Sequence, residues 1–386
     1  MQCQKNLFNL LPHLHYLNCA SRGPLSIATE KAGREAIENT TARIHGLTPN
    51  DFFEPGWEVR RLFAQLIGAP DPARVAFVPA VSYAMATVAR NLPHKTGFKN
   101  GQRILLTEGE FPSDVYAWQR VSADHNLEIV TVPMPSGPDT GSQWNTNLLE
   151  SIDENTALVV CPHVHWMYGT LFDLERIARR AREVGAWLVV DGTQSLGALP
   201  FSYETIRPDL LVCAGYKWLL GPFSLGVAYF GEAFDDGEPL EETWMGRTES
   251  NQFHRLTDYQ ATYREKAFRY NMGEQSNFIQ MPMLQVALEQ LLSWTPAAIQ
   301  AYCRQLIGEV QDGLREMGYF LEAESQRASH LVGIQLPDGK QVIDVQKALA
   351  EASVYVSARG RGIRVSPHLY NTPEDMQALL RALQRA

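Results

Sequence analysis

The segment AWLVVDGTQSLGALPFSYETIRPDLLVCAGYKWLLGPFSLGVAYF, residues 186–230, contains three short apolar runs. Asp191 closes the first run, and Lys217 follows the second in a loop. Apolar runs of this length predict buried strands. A lysine and an aspartate on neighbouring strands could hold a heterocyclic cofactor from two sides, because the amine can bind it covalently while the carboxylate keeps its ring nitrogen protonated. The segment therefore predicts a site for pyridoxal phosphate (PLP).

Composition is that of an ordinary globular protein. The chain has 386 residues, of which 45% are hydrophobic and 20% charged, which is enough for a large core and two domains. The net charge of −9 and the lack of a basic stripe argue against nucleic acid as a partner. Five scattered cysteines without a CxxC spacing indicate neither a metal site nor a disulfide framework, and reduced thiols fit a cytoplasmic protein.

Targeting segments are not expected from the sequence. The N-terminal residues lack the small-residue cleavage site of a signal peptide. The apolar stretch 210–230 contains Lys217, Gly221 and Pro222, so it predicts two strands and a loop and not a membrane span. We therefore expect no membrane partner.

Strand-like and helical patterns alternate along most of the chain. The first strand-like runs are VAFV (75–78), RILLT (103–107), LEIVTV (127–132) and ALVVCP (157–162). A loop is predicted from the end of LEIVTV through residue 146, and Asp173 and Gly185 are predicted to begin and end a helix. The alternation predicts an α/β fold in which a mainly parallel, mixed sheet lies between helices.

The domain organisation follows from changes in periodicity. Residues 231–270 have little periodicity and predict a long, loop-rich stretch. Strong helical periodicity follows, and the tail alternates strand and helix again. We predict a large PLP-binding domain over residues 21–275, a small C-terminal α+β domain over 276–386, and an N-terminal segment, 1–20, that packs on the small domain.

From YLNCASRGPLS (16–26) to IRVSPHLYNTPEDM (363–376), the chain resembles the class V aminotransferases, which are PLP enzymes of fold type I. This family includes cysteine desulfurases, kynureninase and isopenicillin-epimerase-like proteins. The resemblance implies that Lys217 forms a Schiff base with PLP, that Asp191 pairs with the ring nitrogen, and that Gln194 hydrogen-bonds the ring's 3-oxygen. From the residues alone, a surface lysine, a helix N-cap and a solvent-facing amide remain the respective alternatives.

The phosphate of PLP needs hydrogen-bond donors, and VAFVPAVSYAMATVARNL resembles the strand–loop–helix that supplies them in this family. Helix amino ends bind anions through unpaired N–H groups. The usual Gly-Thr-Thr is replaced by Ala80-Val81-Ser82, so Ser82 is the expected side-chain donor and Val81 contributes its amide. A plain N-cap is the alternative for Ser82.

The resemblance assigns roles to further residues. Tyr216 is implied as a phenol donor to the phosphate and Phe111 as a ring stacked on the cofactor; simple packing is the alternative for both. These two residues indicate kynureninase-like rather than desulfurase-like members. His165 or Trp166 is expected to contact cofactor or substrate, and a metal at His163 and His165 lacks a third ligand in the sequence.

Two more roles concern the substrate and a second subunit. Arg364 matches the family arginine that binds the substrate α-carboxylate, which suits a guanidinium fork, although a surface ion pair is the alternative. Gln275, Ser276 and Asn277 lie where dimeric relatives contribute a loop to the neighbour's phosphate, but the usual Gly-Thr-Pro is absent. A homodimer is thus implied by the resemblance.

The resemblance implies a PLP-dependent enzyme that acts on an amino acid or related amine through an external aldimine, foremost as a class V aminotransferase. A C–S or C–C lyase, such as a kynureninase-like or cysteine-conjugate lyase, is the first alternative. A non-catalytic PLP-binding protein is the second. Cysteine desulfurase activity is disfavoured because VYVSARGRGIR, which precedes the match at Arg364, contains no cysteine.

Overall fold

The computed structural model describes residues 1–137 and 139–386. Its strands are β1 (His15–Tyr16), β2 (Val75–Val78), β3 (Arg103–Thr107), β4 (Glu128–Val132), β5 (Thr156–Pro162), β6 (Trp187–Asp191), β7 (Leu210–Ala214), β8 (Gly226–Phe230), β9 (Phe320–Leu321), β10 (Val332–Gln335), β11 (Val354–Tyr355), β12 (Ser357–Arg359) and β13 (Gly362–Val365). Its helices are α1 (Ile27–Ala42), α2 (Pro49–Ile67), α3 (Val81–Asn91), α4 (Tyr116–His125), α5 (Thr140–Ser151), α6 (Leu174–Val184), α7 (Tyr203–Ile206), α8 (Gln280–Trp294), α9 (Pro296–Glu316), α10 (Val342–Glu351) and α11 (Pro373–Arg385). Within the two described ranges, no helix combines the length and the apolar composition that a membrane crossing requires.

The large sheet has seven strands in the order β2-β8-β7-β6-β5-β3-β4. Strands β3 to β7 are parallel, and β8 lies antiparallel between β2 and β7. Pro162 is paired with Asp191, and Asp191 with Val212, so β5, β6 and β7 end at one edge of the sheet. The predicted α/β fold with a mainly parallel, mixed sheet is confirmed.

Both faces of the inner strands β5, β7 and β8 are buried, which explains why these strands are apolar, whereas the edge strand β4 keeps Glu128 and Thr131 exposed. Side chains alternate between the two faces of a strand. Val159 and Cys161 of β5 belong to one core cluster, while Leu158 and Val160 belong to the other. Strands covered on both sides cannot show a polar face.

Helix boundaries were predicted well where local capping signals were present. Asp173 Oδ1 accepts a hydrogen bond from Arg176 N at 3.1 Å, and Gly185 ends α6 with a φ of 72°. The predicted loop through residue 146 is wrong, because α5 begins at Thr140. Trp144 and Leu148, one helical turn apart, are fully buried, and this packing outweighs the polar composition around them.

A second, antiparallel sheet has the order β12-β13-β10-β9. Helices α9, α10 and α11 accompany it, whereas α8 packs against α1 and α2. The N-terminal segment reaches the same part of the protein, because β1 pairs in parallel with β11 and Leu17 N donates to Tyr355 O at 2.9 Å.

Glycine at position 197 allows the turn after β6 to approach the backbone beside Lys217. Its φ is +98°, and an added Cβ would lie 2.4 Å from Trp218 O. Gly185 has a similar φ of +72° but no atom within 4 Å of an added Cβ.

We expect Gly197→Ala to lower the free energy of unfolding by about 3 kcal/mol and Gly185→Ala by about 1 kcal/mol, because only the first substitution adds a steric clash to the backbone strain. Urea unfolding of both variants measures this, and equal losses would contradict the close approach.

Candidate functional site

A cavity of about 220 Å³ lies at the edge of the large sheet where its parallel strands end. We call it the lysine cavity. The predicted site residues that line it are Val81, Phe111, Trp166, Asp191, Gln194, Tyr216 and Lys217. The carboxyl ends of parallel strands are where α/β sheets commonly bind ligands. Residues far apart in the sequence are therefore brought together as the alternating pattern predicted.

Lys217 is the central polar group of this cavity. Its side chain is 9% exposed, and Nζ lies 5.5 Å from the centroid of the Phe111 ring and 5.7 Å from that of Tyr216. Burial lowers the pKa of Lys217 to about 8, while the charge of Asp191 raises it in part. A lysine with a lowered pKa has a larger fraction of neutral amine, which is the nucleophilic form.

Asp191 is held at the end of β6 by the following turn. Its Oδ1 accepts a hydrogen bond from Thr193 N at 2.8 Å. Thr193 Oγ1 in turn accepts from Ala214 N at 3.0 Å, which connects this turn to the end of β7. The carboxylate is therefore fixed relative to the strand that leads to Lys217.

Gln194 is fixed by two hydrogen bonds. Its Oε1 accepts from Trp218 Nε1 at 2.8 Å, and its Nε2 donates to Ala20 O at 3.1 Å. An indole nitrogen can only donate, so the orientation of the amide is determined. One N–H group of Gln194 remains to face a ligand in the lysine cavity.

Asp114 and Glu110 are acidic groups of this site that the sequence analysis missed. Asp114 is 1% exposed, and neither of its carboxylate oxygens has a hydrogen-bond partner in the described residues. Burial raises the pKa of Asp114 well above its usual range, and the adjacent Asp191 and Glu110 raise it further. Burial also raises the pKa of Glu110 to about 8, although the Thr107 hydroxyl donates to its carboxylate. Both acids were visible in EGEFPSD, but their burial depends on the tertiary fold.

The amino end of α3 forms one wall of the lysine cavity. Ala80 is the N-cap and its side chain makes no capping hydrogen bond, so the amides of Val81 and Ser82 are available to an anion, while Tyr83 N donates to Ala80 O at 3.1 Å. Val81 lines the cavity as predicted, but Ser82 is exposed and is not part of the lining. Ser113 and Ser224 are the serines that line it, and neither was predicted.

Arg364 lies next to the lysine cavity without lining it. It is 1% exposed; Nη1 donates to Trp166 O at 2.7 Å, Nη2 donates to Ser21 Oγ at 2.7 Å, and Nε has no partner in the described residues. Burial, and then the nearby Arg359, lower the pKa of Arg364. Trp166 forms the intervening wall, with its ring 5.5 Å from that of Phe111 and edge-on to it.

The structure places His165 differently from its neighbour Trp166. His165 is completely buried, its Nε2 lies 3.2 Å from Glu108 O, and its ring stacks on Tyr168 at 5.0 Å. Burial lowers the pKa of His165 to about 4. It does not line the lysine cavity, whereas Trp166 does.

Gln275, Ser276 and Asn277 also lie outside the lysine cavity, and their side chains make hydrogen bonds within the chain. Gln275 accepts from Arg60, Ser276 donates to Phe52 O, and Asn277 accepts from Gln280 N. Across residues 1–137 and 139–386, no cluster of three or more His, Cys, Asp or Glu side chains could hold a metal ion.

Comparison with known proteins identifies the family. The family model described as "Aminotransferase class-V" matches residues 36–382. The chain belongs to the class V aminotransferase family. Members of this family are PLP-dependent enzymes, and PLP is the cofactor of this chain.

Similar proteins carry several different activities. An uncharacterised aminotransferase of Bacillus subtilis is 27% identical over 319 residues, covering 82% of this chain and 80% of that protein. Isopenicillin N epimerase of Streptomyces clavuligerus is 26% identical over 410 residues, covering 96% and 94%. The solved apo structure of a cysteine desulfurase from Thermococcus onnurineus has a TM-score of 0.84 at 22% identity, covering 100% and 98%, which shows a shared fold.

The lysine cavity suits this cofactor. An amine with a lowered pKa, a carboxylate, an aromatic ring and a helix amino end converge on one space, and these groups complement an aldehyde, a ring nitrogen, a heterocycle and a phosphate. The hydroxyl of Ser82, an expected donor to the phosphate, does not line this cavity.

Burial of Lys217 predicts a pH-dependent effect in the cofactor-free protein. In the unfolded chain the lysine keeps its proton up to about pH 10.5, but in the folded state it loses the proton above about pH 8. We expect Lys217→Met to raise the free energy of unfolding at pH 7 by on the order of 3 kcal/mol, and this gain should disappear between pH 8 and 10.5. Unfolding by urea at pH 7, 9 and 10.5 measures it; a gain that does not change with pH would show that Lys217 titrates normally.

Proposed function

We propose that this protein is a PLP-dependent enzyme of the aminotransferase type, which acts on an amino acid or a related carboxylate-bearing primary amine. The observation that carries the proposal is the buried amine of Lys217, whose pKa is about 8, in a cavity that also contains Asp191. When bound, PLP supplies an electron sink for negative charge that develops at the substrate α-carbon.

Each group of the lysine cavity has a role in this proposal. The Lys217 amine would hold the cofactor through its aldehyde carbon, with release of water, and Asp191 would pair with its ring nitrogen. The free N–H of Gln194 would donate to the 3-oxygen, and the first two amides of α3 and the Tyr216 hydroxyl would donate to the phosphate. Phe111, whose ring faces Nζ of Lys217, restrains the plane of the cofactor.

Protonation of Asp114 supports the role of Asp191. Two ionised carboxylates in contact would repel each other, so a buried neighbour that stays protonated removes this repulsion and can donate a hydrogen bond. Asp191 then keeps a negative charge that faces the ring nitrogen. Asp114 is thus a positioning residue for Asp191 in our proposal.

The small number of titratable side chains around Lys217 favours transamination over epimerisation. Apart from Asp191 and Tyr216, Lys217 is the only titratable side chain among the described residues that line the cavity. An epimerase needs proton carriers on both faces of the α-carbon, whereas for transamination one amine that takes up and releases a proton, such as Lys217, would suffice. His165, whose imidazole could carry a proton, is completely buried and does not line the cavity.

Elimination by a lyase is the second candidate, because it also needs one base at the α-carbon and the cavity contains Phe111 and Tyr216 as expected for kynureninase-like enzymes. Sulfur transfer as in cysteine desulfurases is not supported. Strands β12 and β13 form a tight hairpin, with Arg359 paired to Gly362, where a mobile cysteine loop would be required. Cys213 is buried, and burial raises its pKa.

We also propose that the enzyme is a cytoplasmic homodimer in which residues 275–277 approach the neighbour's phosphate. Exposed apolar side chains around this segment support an interface, since Phe278 is 40% and Ile279 is 38% exposed.

The first test traps the covalent bond between Lys217 and the cofactor. We expect borohydride reduction of the holoenzyme, followed by peptide mapping, to place the label on Lys217. Lys266→Ala, which removes a lysine paired with Asp71 at 2.6 Å, should keep the label, while Lys217→Ala should lose it. A label at other lysines only would refute the proposed role of Lys217.

Product analysis separates the candidate reactions. We expect a panel of amino acids to give a keto acid and pyridoxamine phosphate, because one amine moves the proton. Pyruvate and ammonia would instead show the lyase, and inverted amino acid an epimerase. Cofactor binding without any product would show a non-catalytic protein.

The role of Arg364 is tested by substitution with lysine. We expect Arg364→Lys to raise KM for a carboxylate substrate by about tenfold or more, because an ammonium group cannot reproduce the bidentate hydrogen bonds of a guanidinium group. Arg361→Lys is the matched control, since Arg361 is 94% exposed and 3.8 Å from Asp338. Equal KM values in the two variants would place the carboxylate elsewhere.

A further inference from the structure

Arg359 is a second arginine beside Arg364, and no step of the proposed reaction uses it. It ends β12, which pairs with β13 so that Ser357 lies opposite Arg364 and Arg359 lies opposite Gly362. Side chains two residues apart on a strand share one face of the sheet. Arg359 and Arg364 therefore lie on the same face of this hairpin, as diagonal neighbours with Cβ atoms about 7 Å apart.

Both arginines contact Trp166, which lines the lysine cavity together with Phe111. Arg364 Nη1 donates to Trp166 O, whereas the guanidinium carbon of Arg359 lies over the Trp166 side chain, 5.3 Å from a ring centroid. Arg364 is fully buried, while Arg359 is half-buried and can be reached from solvent. The two positive groups therefore adjoin the lysine cavity at the same wall, one deep and one near the surface.

The guanidinium group of Arg359 has donors that the chain does not use. Its Nη1 donates to Ala358 O at 2.7 Å, whereas neither Nε nor Nη2 has a hydrogen-bond partner in the described residues. Burial lowers the pKa of Arg359, and no carboxylate opposes this effect. A single neutral carbonyl orients the group without neutralising it, so Arg359 keeps hydrogen-bond donors for an anion.

The surroundings of the two arginines do not provide a counter-ion. The charge of Arg359 lowers the pKa of Arg364, so the two like charges are close enough to repel each other. Glu322 lines a cavity of about 240 Å³ that Arg359 also lines, but its carboxylate accepts from Thr170 Oγ1 at 2.8 Å, and burial raises its pKa. Neither arginine has a carboxylate among the causes that shift its pKa.

We propose that Arg359 binds a second carboxylate on the substrate side chain, so that the substrates are dicarboxylic amino acids. This inference rests on the proposed function, in which Arg364 binds the α-carboxylate. Two desolvated cations without a counter-ion favour a ligand that carries two negative charges, and a guanidinium group binds a carboxylate through two parallel hydrogen bonds. Their positions on one face of the hairpin suit a short carbon chain with a carboxylate at each end.

The test uses the PLP-loaded enzyme and glutarate as the probe, with valerate as the monocarboxylate of the same chain length. Neither molecule carries an amine, so binding requires no turnover. We expect isothermal titration calorimetry at constant ionic strength to give a Kd for glutarate that is lower than the Kd for valerate by about tenfold or more, because only glutarate supplies the second carboxylate.

Substitutions assign this preference to Arg359. Arg359→Met should reduce the preference to about twofold or less and leave the Kd for valerate unchanged, because methionine still covers the Trp166 ring. Arg359→Lys should keep part of the preference, since it keeps the charge and loses the planar fork. Arg361→Met is the matched control and should change neither Kd, because Arg361 is almost fully exposed. Circular dichroism confirms the fold of each variant, and Arg359→Gln replaces Arg359→Met if that variant does not fold.

Three outcomes would overturn the proposal. Equal binding of glutarate and valerate, or no binding of glutarate, would show that the two arginines do not select a second carboxylate. A preference that is kept in Arg359→Met would show that Arg359 only packs on Trp166. A preference that is lost equally in Arg361→Met would show a general effect of surface charge. None of these outcomes bears on the labelling of Lys217, so the proposed reaction is tested separately.

Discussion

A partly neutral amine kept inside the protein is the constraint on which the lysine cavity depends. Removing Lys217 from water disfavours its charged form, and Asp191 opposes this effect only in part. The surrounding structure must therefore prevent Nζ from reaching solvent. The backbone of the next residue, Trp218, is covered by Gly197, and the Trp218 indole is fixed by Gln194. The same contacts that bury the amine thus also orient the amide of Gln194.

Much of the fold could be predicted from the sequence because its signals are local. The inner strands of the large sheet are apolar on both faces, and the ends of α6 follow from one aspartate and one glycine. The prediction of a loop where α5 begins was wrong because this helix lacks such local signals. Its helix depends on burial of Trp144 and Leu148 against the rest of the protein, and Trp144 Nε1 donates to Val132 O at 3.0 Å. Nothing within residues 140–146 reveals that contact.

The sequence predicted that Asp191 and Lys217 lie close together because strand position determines where these residues are, and both line one cavity. It could not predict which side chains are buried. Ser82 is exposed, and His165 is completely buried behind Trp166. Asp114 is unremarkable in the sequence and gains significance only beside Asp191.

The way in which buried charges are balanced in the lysine cavity bears on what the cavity can bind. The lysine cavity combines an amine with Asp191, and Asp114 and Glu110 beside it avoid further negative charge because burial favours their protonated forms. Such a set can bind a zwitterionic cofactor and still exchange protons.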